Sequence, residues 1–112
     1  MAYSISEDYK LEEITLARIA KAMGHPARIV ILKYLSSLDT CYFGDIYKEL
    51  PISKATVSQH LAELKDAGLI KGSLEPPRVN YCINKENYKI AENLFDSFFR
   101  IKKTKKLISC CK

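Results

Sequence analysis

Two short amphipathic stretches separated by only three residues set the tightest limit on how this chain folds. The first ends in Asp45-Ile46-Tyr47-Lys48-Glu49-Leu50. The break is Pro51-Ile52-Ser53, and the second stretch runs from Lys54 to about Ala67 with Val57, Leu61 and Leu64 at i, i+4 and i+7. Ser53 is a good N-cap, and Gly68 closes the second helix as the residue beyond its C-cap. Ile46 and Leu50 anchor the first helix to a core; Ile52, Val57, Leu61 and Leu64 anchor the second.

The segment after Gly68 narrows the choice. Leu69-Ile70-Lys71-Gly72-Ser73-Leu74 reads as a strand, Glu75-Pro76-Pro77 is a stiff turn that cannot be helical, and Arg78-Val79-Asn80-Tyr81-Cys82-Ile83 alternates as a returning strand. A last long helix is expected from Lys85-Glu86 to about Ile108. Upstream, a helix from about Glu7 to Met23 carries Leu11, Ile14, Ala17, Ala20 and Ala22-Met23, and Gly24 ends it. Pro26 opens a second helix, about His25 to Ser37, in whose first turn an amide is not needed. Its core stripe is Ile29, Leu32 and Leu35, widened by Ile31 and Tyr34. Asp39-Thr40 signals the next start. The expected fold is therefore mainly α with a two-stranded β-hairpin wing, in the order α-α-α-α-β-β-α. That is a winged helix-turn-helix occupying residues 1–112 as one domain.

Composition excludes several classes. At 47% hydrophobic and 28% charged residues the chain is neither a disordered tail nor a membrane protein. Its longest aliphatic run is Ile29-Val30-Ile31-Leu32, and the acidic N-terminus lacks the apolar region of a secretory signal. A cytoplasmic location with no membrane partner is the expectation. The net charge of +5 is weak support for a polyanion partner, because residues 97–112 alone carry +6 and residues 1–13 carry −3.

Once the core anchors are subtracted, the helix after the break keeps Lys54, Thr56, Ser58, Gln59 and His60 near its N-terminus. These are short donors and acceptors, and Gln makes a bidentate contact with adenine. An α-helix that enters the major groove turns its N-terminal residues toward base edges. An ordinary polar solvent face would look the same in isolation; the turn before it and the hairpin after it favour DNA. Lys71 and Arg78 flank the wing tip and are expected to touch phosphates.

These residues resemble a known family. Ala22-Met23-Gly24-His25-Pro26-Ala27-Arg28-Ile29-Val30-Ile31-Leu32 is similar to the opening signature of ArsR/SmtB-type regulators, and Ser53-x-x-Thr56-Val57-Ser58-Gln59-His60-Leu61-x-x-Leu64-x-x-Ala67-Gly68-Leu69 to their recognition helix and wing entry. The likeness covers roughly residues 11 to 100. It implies a homodimeric winged-helix repressor that occupies operator DNA and leaves it when an effector binds. It also makes Arg28 a helix-packing or DNA-backbone residue.

The sequence supports pairing independently. Tyr88, Ala91, Leu94, Phe95, Phe98 and Phe99, with Ile90 and Ile101, spread wider than a single core-facing stripe. The first and last helices are therefore expected to form a two-fold interface, and the operator to be an imperfect inverted repeat. The alternative reading is a winged-helix protein–protein adaptor that ignores DNA. An enzyme is disfavoured, since no nucleophile–base pair lies close in sequence and no glycine-rich phosphate loop exists.

The resemblance also frames the sensor. Metal-sensing relatives place Cys-x-Cys before the position of Asp45, but Tyr42 and Gly44 stand there. Their second site needs histidines on the last helix, and residues 85–108 have none. With no CxxC pair and no secretion signal, a disulfide framework is not expected. What remains is thiol chemistry. Cys110-Cys111 adjoin Lys105, Lys106 and Lys112, which favour thiolate, and with Cys41 of a subunit would give a three-sulfur site open to oxidation, persulfidation or a soft metal or metalloid. Cys82 is expected to be a small core or face residue.

Overall fold

The computed structural model describes residues 8–73 and 79–101. The elements are α1 (Leu11–Met23), α2 (Pro26–Ser36), β1 (Tyr42–Phe43), a 3-10 turn (Ile46–Lys48), α3 (Lys54–Asp66), β2 (Ile70–Ser73), β3 (Asn80–Ile83) and α4 (Lys85–Phe99). The three strands form one antiparallel sheet in the order β1-β3-β2. The fold is mainly α with a wing, as expected, but two features differ. The segment before the three-residue break is a single 3-10 turn rather than a helix, and a third strand joins the expected hairpin.

Both differences trace to Tyr81. Its side chain is 1% exposed. Its hydroxyl accepts from the buried Ile46 N–H at 3.1 Å and donates to the Gly44 carbonyl at 3.2 Å. Burial pushes the phenol up to about 12, against the Ile46 hydrogen bond, which favours the ionised form. Those contacts hold the chain extended into Ile46, so Tyr42 and Phe43 pair with Tyr81 and Asn80. The Tyr42 and Tyr81 rings stack with centroids 5.7 Å apart.

Local signals place the helix ends well. His25 caps α2, its Nδ1 accepting from the Ala27 N–H at 3.0 Å, with Pro26 at the first helical position. Gly68 ends α3 at φ +84°, and its carbonyl accepts from Asn87 Nδ2 at 2.9 Å. Asn84 caps α4 by accepting from the Asn87 N–H. Arg100 is extended at the other end, so α4 ends at Phe99; residues 102–108 of the expected helix lie outside the described residues.

The core comprises Ile19, Ala22, Ile31, Leu32, Leu35, Ile46, Val57, Leu61, Leu64, Leu69, Ile70, Tyr81, Ile83 and Ala91. Two helix faces are rotated from expectation. On α1 the buried residues are Ile19 and Ala22, while Leu11 is 78% exposed and Ala17 and Ala20 face solvent. On α2 Ile31 replaces Ile29, which is 37% exposed. Short helices with apolar residues nearly all round do not reveal which stripe faces the core. An ion-paired link ties α1 to α3: Arg18 meets Glu63 at 3.1 Å and Asp66 at 2.8 Å.

Candidate nucleic-acid interface

The helix α3 divides cleanly into two faces. Val57, His60, Leu61 and Leu64 are buried at i, i+3, i+4 and i+7. Lys54, Thr56, Ser58 and Gln59 are exposed at the opposite side of its N-terminal half. The Ser53 hydroxyl engages the Thr56 hydroxyl at 3.1 Å, and Thr56 Oγ1 also donates to the Ser53 carbonyl at 3.2 Å. Ser53 stands at the N-cap position as expected, but its side chain makes no capping bond to the first backbone amides of α3. Lys54 Nζ lies 5.4 Å from the centroid of the Tyr47 ring, which seats that ammonium beside the helix start. The carboxylates of α3, Glu63 and Asp66, sit at its far end and are both paired with Arg18. The exposed N-terminal edge is thus polar, cationic and free of the helix's own acids.

His60 is not part of that edge. It is 8% exposed, and Arg28 Nε donates to its Nδ1 at 3.0 Å. The same guanidinium donates from Nη1 to the Ala22 carbonyl at 3.0 Å, and the His25 ring lies 4.5 Å from that of His60. Burial holds His60 below its ordinary value, and the neighbouring His25 and Arg28 act in the same direction. A ring accepting from a guanidinium on one nitrogen is neutral, so this side chain joins α1, α2 and α3 instead of reaching outward. The spacing carried the signal: residue 60 falls inside the 57–61–64 apolar stripe. Arg28 accordingly packs helices.

On the wing, Lys71 is exposed and pairs with Cys82 across β2–β3. Gly72, at φ +131°, lets β2 pass close to β3; a Cβ there would lie 2.7 Å from the Tyr81 Cα. Arg78 and the Glu75-Pro76-Pro77 turn lie outside the described residues, as do Cys110 and Cys111.

The cysteines depart from expectation. Cys41 and Cys82 form a disulfide, with Cα atoms 4.3 Å apart. The register explains it. Tyr42 pairs with Tyr81 and the Gly44 N–H bonds the Val79 carbonyl at 3.1 Å, so Cys41 falls opposite Cys82 one step further along. Hydrogen-bonded pairs alternate with unbonded ones, and 41–82 is an unbonded pair, in which side chains stand closest. Cys82 is therefore a disulfide partner, and Cys41 in this form has no thiolate to offer a metal. Among the described residues no group of three or more His, Cys, Asp or Glu side chains could hold a metal ion. Nor is any described helix long and apolar enough to cross a membrane.

Comparison with known proteins agrees with this geometry. The family model described as bacterial regulatory protein, arsR family, matches residues 25–71. The HTH-type transcriptional regulator YgaV of Escherichia coli strain K12 is 37% identical over 70 residues, which span 62% of this chain and 71% of YgaV. The HTH-type transcriptional regulator CmtR of Mycobacterium bovis is 35% identical over 75 residues, 66% of this chain and 62% of CmtR. Among solved structures, HlyU from Vibrio cholerae superposes with a TM-score of 0.61 at 28% identity, over 82% of this chain and all of that one. An ArsR-like regulator from a Rhodococcus species shares the fold at 18% identity and a TM-score of 0.62, over 77% and 80% of the two chains.

Proposed function

The chain belongs to the arsR family of bacterial regulatory proteins and is a DNA-binding transcriptional regulator; on that footing we propose that it acts as a homodimeric repressor on an inverted-repeat operator. The observation that carries the reading is the division of α3. Its buried side fixes the helix in the core while Lys54, Thr56, Ser58 and Gln59 remain outside. Gln59 is the base reader, able to take adenine through two hydrogen bonds. Lys54 and the uncapped first amides of α3 take a phosphate. Lys71 and Arg78 hold the flanking backbone from the wing.

Dimerisation is supported by apolar surface that one chain leaves bare. Leu11 of α1 is 78% exposed, and Phe98, Phe99 and Ile101 at the end of α4 are 65%, 69% and 93% exposed. The two phenylalanines stand edge to face at 5.1 Å, and Phe95 stacks on Phe99 at 6.1 Å. A cluster of this kind on a small domain marks an interface, and α1 and α4 are already in contact with one another. A two-fold partner would set two copies of α3 about 34 Å apart, one turn of B-DNA.

The test is a mobility-shift and anisotropy series on DNA upstream of the protein's own gene. The wild type is expected to bind as a dimer and to weaken steeply with salt. Gln59→Ala is expected to lose roughly 1–3 kcal/mol of preference at one base pair while random DNA is bound as before. A monomer in sedimentation with no affinity for DNA or heparin would refute the proposal and favour the adaptor reading. Equal losses for Gln59→Ala on specific and random DNA would remove Gln59 from base reading.

A further inference from the structure

We infer that Cys41 and Cys82 form a thiol–disulfide exchange site, reached by a low-molecular-weight thiol through the groove beside it, whose redox state sets how firmly the DNA-reading part of the chain is held. Three observations meet here. The disulfide spans a separation of 41 residues, and the loop it closes contains the 3-10 turn, α3 and β2. Both cysteines line a groove of about 990 Å³, together with Leu38, Tyr88 and Phe95, and neither is fully buried. That volume suits a small molecule. Finally, Lys71 lies opposite Cys82 in the β2–β3 register and lines the same groove, so Lys71, Cys82 and Cys41, the residue just before β1, form a row.

The row gives the exchange a direction. A thiolate RS⁻ attacks Sγ of Cys41; the new S–S bond forms as the Cys41–Cys82 bond breaks. The Cys82 sulfur leaves as a thiolate at the position paired with Lys71, a cation lining the same groove that favours such a leaving group, and then takes a proton from water. A second RS⁻ attacks the R-bearing sulfur of the mixed disulfide, releasing RSSR and the Cys41 thiolate, which is protonated in turn. Two RSH are oxidised to RSSR and one cystine is reduced to two cysteines. RSSR drives the reverse reaction. In a reducing compartment a disulfide of this kind serves as a reversible sensor, not a permanent staple.

Once reduced, β1 is held without a covalent tie, by its two-residue ladder, the Gly44 N–H to Val79 bond, the Tyr81 hydroxyl and the contacts of the Tyr42 ring with Tyr81 and Tyr34. The reading segment then loses a covalent tie that pre-organises it, so the oxidised form is the stronger DNA binder. Only that last consequence rests on the role of α3 proposed above; the exchange does not.

The test uses the full chain in a Cys110→Ser/Cys111→Ser background, equilibrated with glutathione and glutathione disulfide in varied ratio. Acid quenching, alkylation and peptide mass mapping are expected to show Cys41 and Cys82 converting together in one two-electron transition. Lys71→Gln is expected to slow reduction several-fold. Amide hydrogen exchange at Gly44 and Ile46 is expected to speed up about tenfold on reduction, and DNA affinity to fall about tenfold. Cysteines that stay reduced at every ratio, or Gly44 and Ile46 amides equally protected in both forms, would overturn the inference. Equally tight DNA binding in both forms would overturn the switch. Absence of DNA binding in either form would instead count against the role of α3, because mass mapping and amide exchange report on the site without DNA.

Discussion

Replacing Arg28 by alanine separates a packing role from a DNA role at one residue. The guanidinium supplies the hydrogen bond to Nδ1 of buried His60 and another to the Ala22 carbonyl at the end of α1, both at 3.0 Å. Leaving a buried acceptor unsatisfied costs about 1–3 kcal/mol, and losing a hydrogen bond from a charged donor about 1.5–3 kcal/mol. The two together give a loss of about 2.5–6 kcal/mol, a large part of the ~5–15 kcal/mol that holds a domain of this kind folded. At about 4 °C per kcal/mol for a chain of this length, Tm should drop by roughly 10–24 °C. Thermal unfolding at pH 7.5, followed by circular dichroism, measures it. A double-mutant cycle with His60→Leu should show coupling of about 1–3 kcal/mol, because the second change removes the acceptor that the first one strands. DNA binding, measured cold where the variant is folded, should keep the wild-type salt slope. Losing one phosphate contact lowers that slope by about 0.9. A drop in Tm under about 4 °C, or a shallower slope with Tm intact, would show that Arg28 serves the DNA and not the helix junction.

Three other outcomes rest on the same kinds of contact. His60 titrates in the folded chain below its unfolded value near 6.5, so its contribution to stability is complete above that value and disappears as pH falls through the lower folded one. Thermal stability should therefore decline as pH falls below about 6.5, more steeply in the wild type than in His60→Leu. Tyr81→Phe should cost roughly 1–3 kcal/mol in denaturant unfolding, because the buried Ile46 amide loses its acceptor. Phe98→Glu combined with Phe99→Glu should yield a folded monomer in sedimentation and abolish cooperative operator binding, since both rings are largely exposed and support no core of their own.

Much of the fold is legible because its determinants act over a few residues. Pro26 and His25 start α2, Gly68 stops α3, and the 57–61–64 stripe orients α3; each signal is contained within a few residues of the chain. The strand Tyr42–Phe43 is not legible, since two residues leave no alternation to read. Nor are the buried stripes of α1 and α2. Helices with small or aliphatic residues on several sides allow more than one face to turn inward, and only the neighbours decide.

The candidate site is half legible for the same reason. Lys54, Thr56, Ser58 and Gln59 stand where the helical period puts them, but His60 has the chemistry of a base reader at the position of a core residue. Its partner Arg28 lies 32 residues away, Tyr81 bonds Ile46 from 35 away, Cys41 and Cys82 are separated by 41, and Arg18 reaches Glu63 across 45. All four of these distant links fasten the reading segment to something outside it: α3 to α1 and α2, the 3-10 turn to β3, β1 to β3. A polar side chain near a recognition edge can thus belong to the edge or to its mounting, and periodicity decides between the two before chemistry does. Position 60 falls in the apolar stripe, so its nitrogen had to find a donor inside the molecule, and the one cation of α2 that is not fully exposed supplies it.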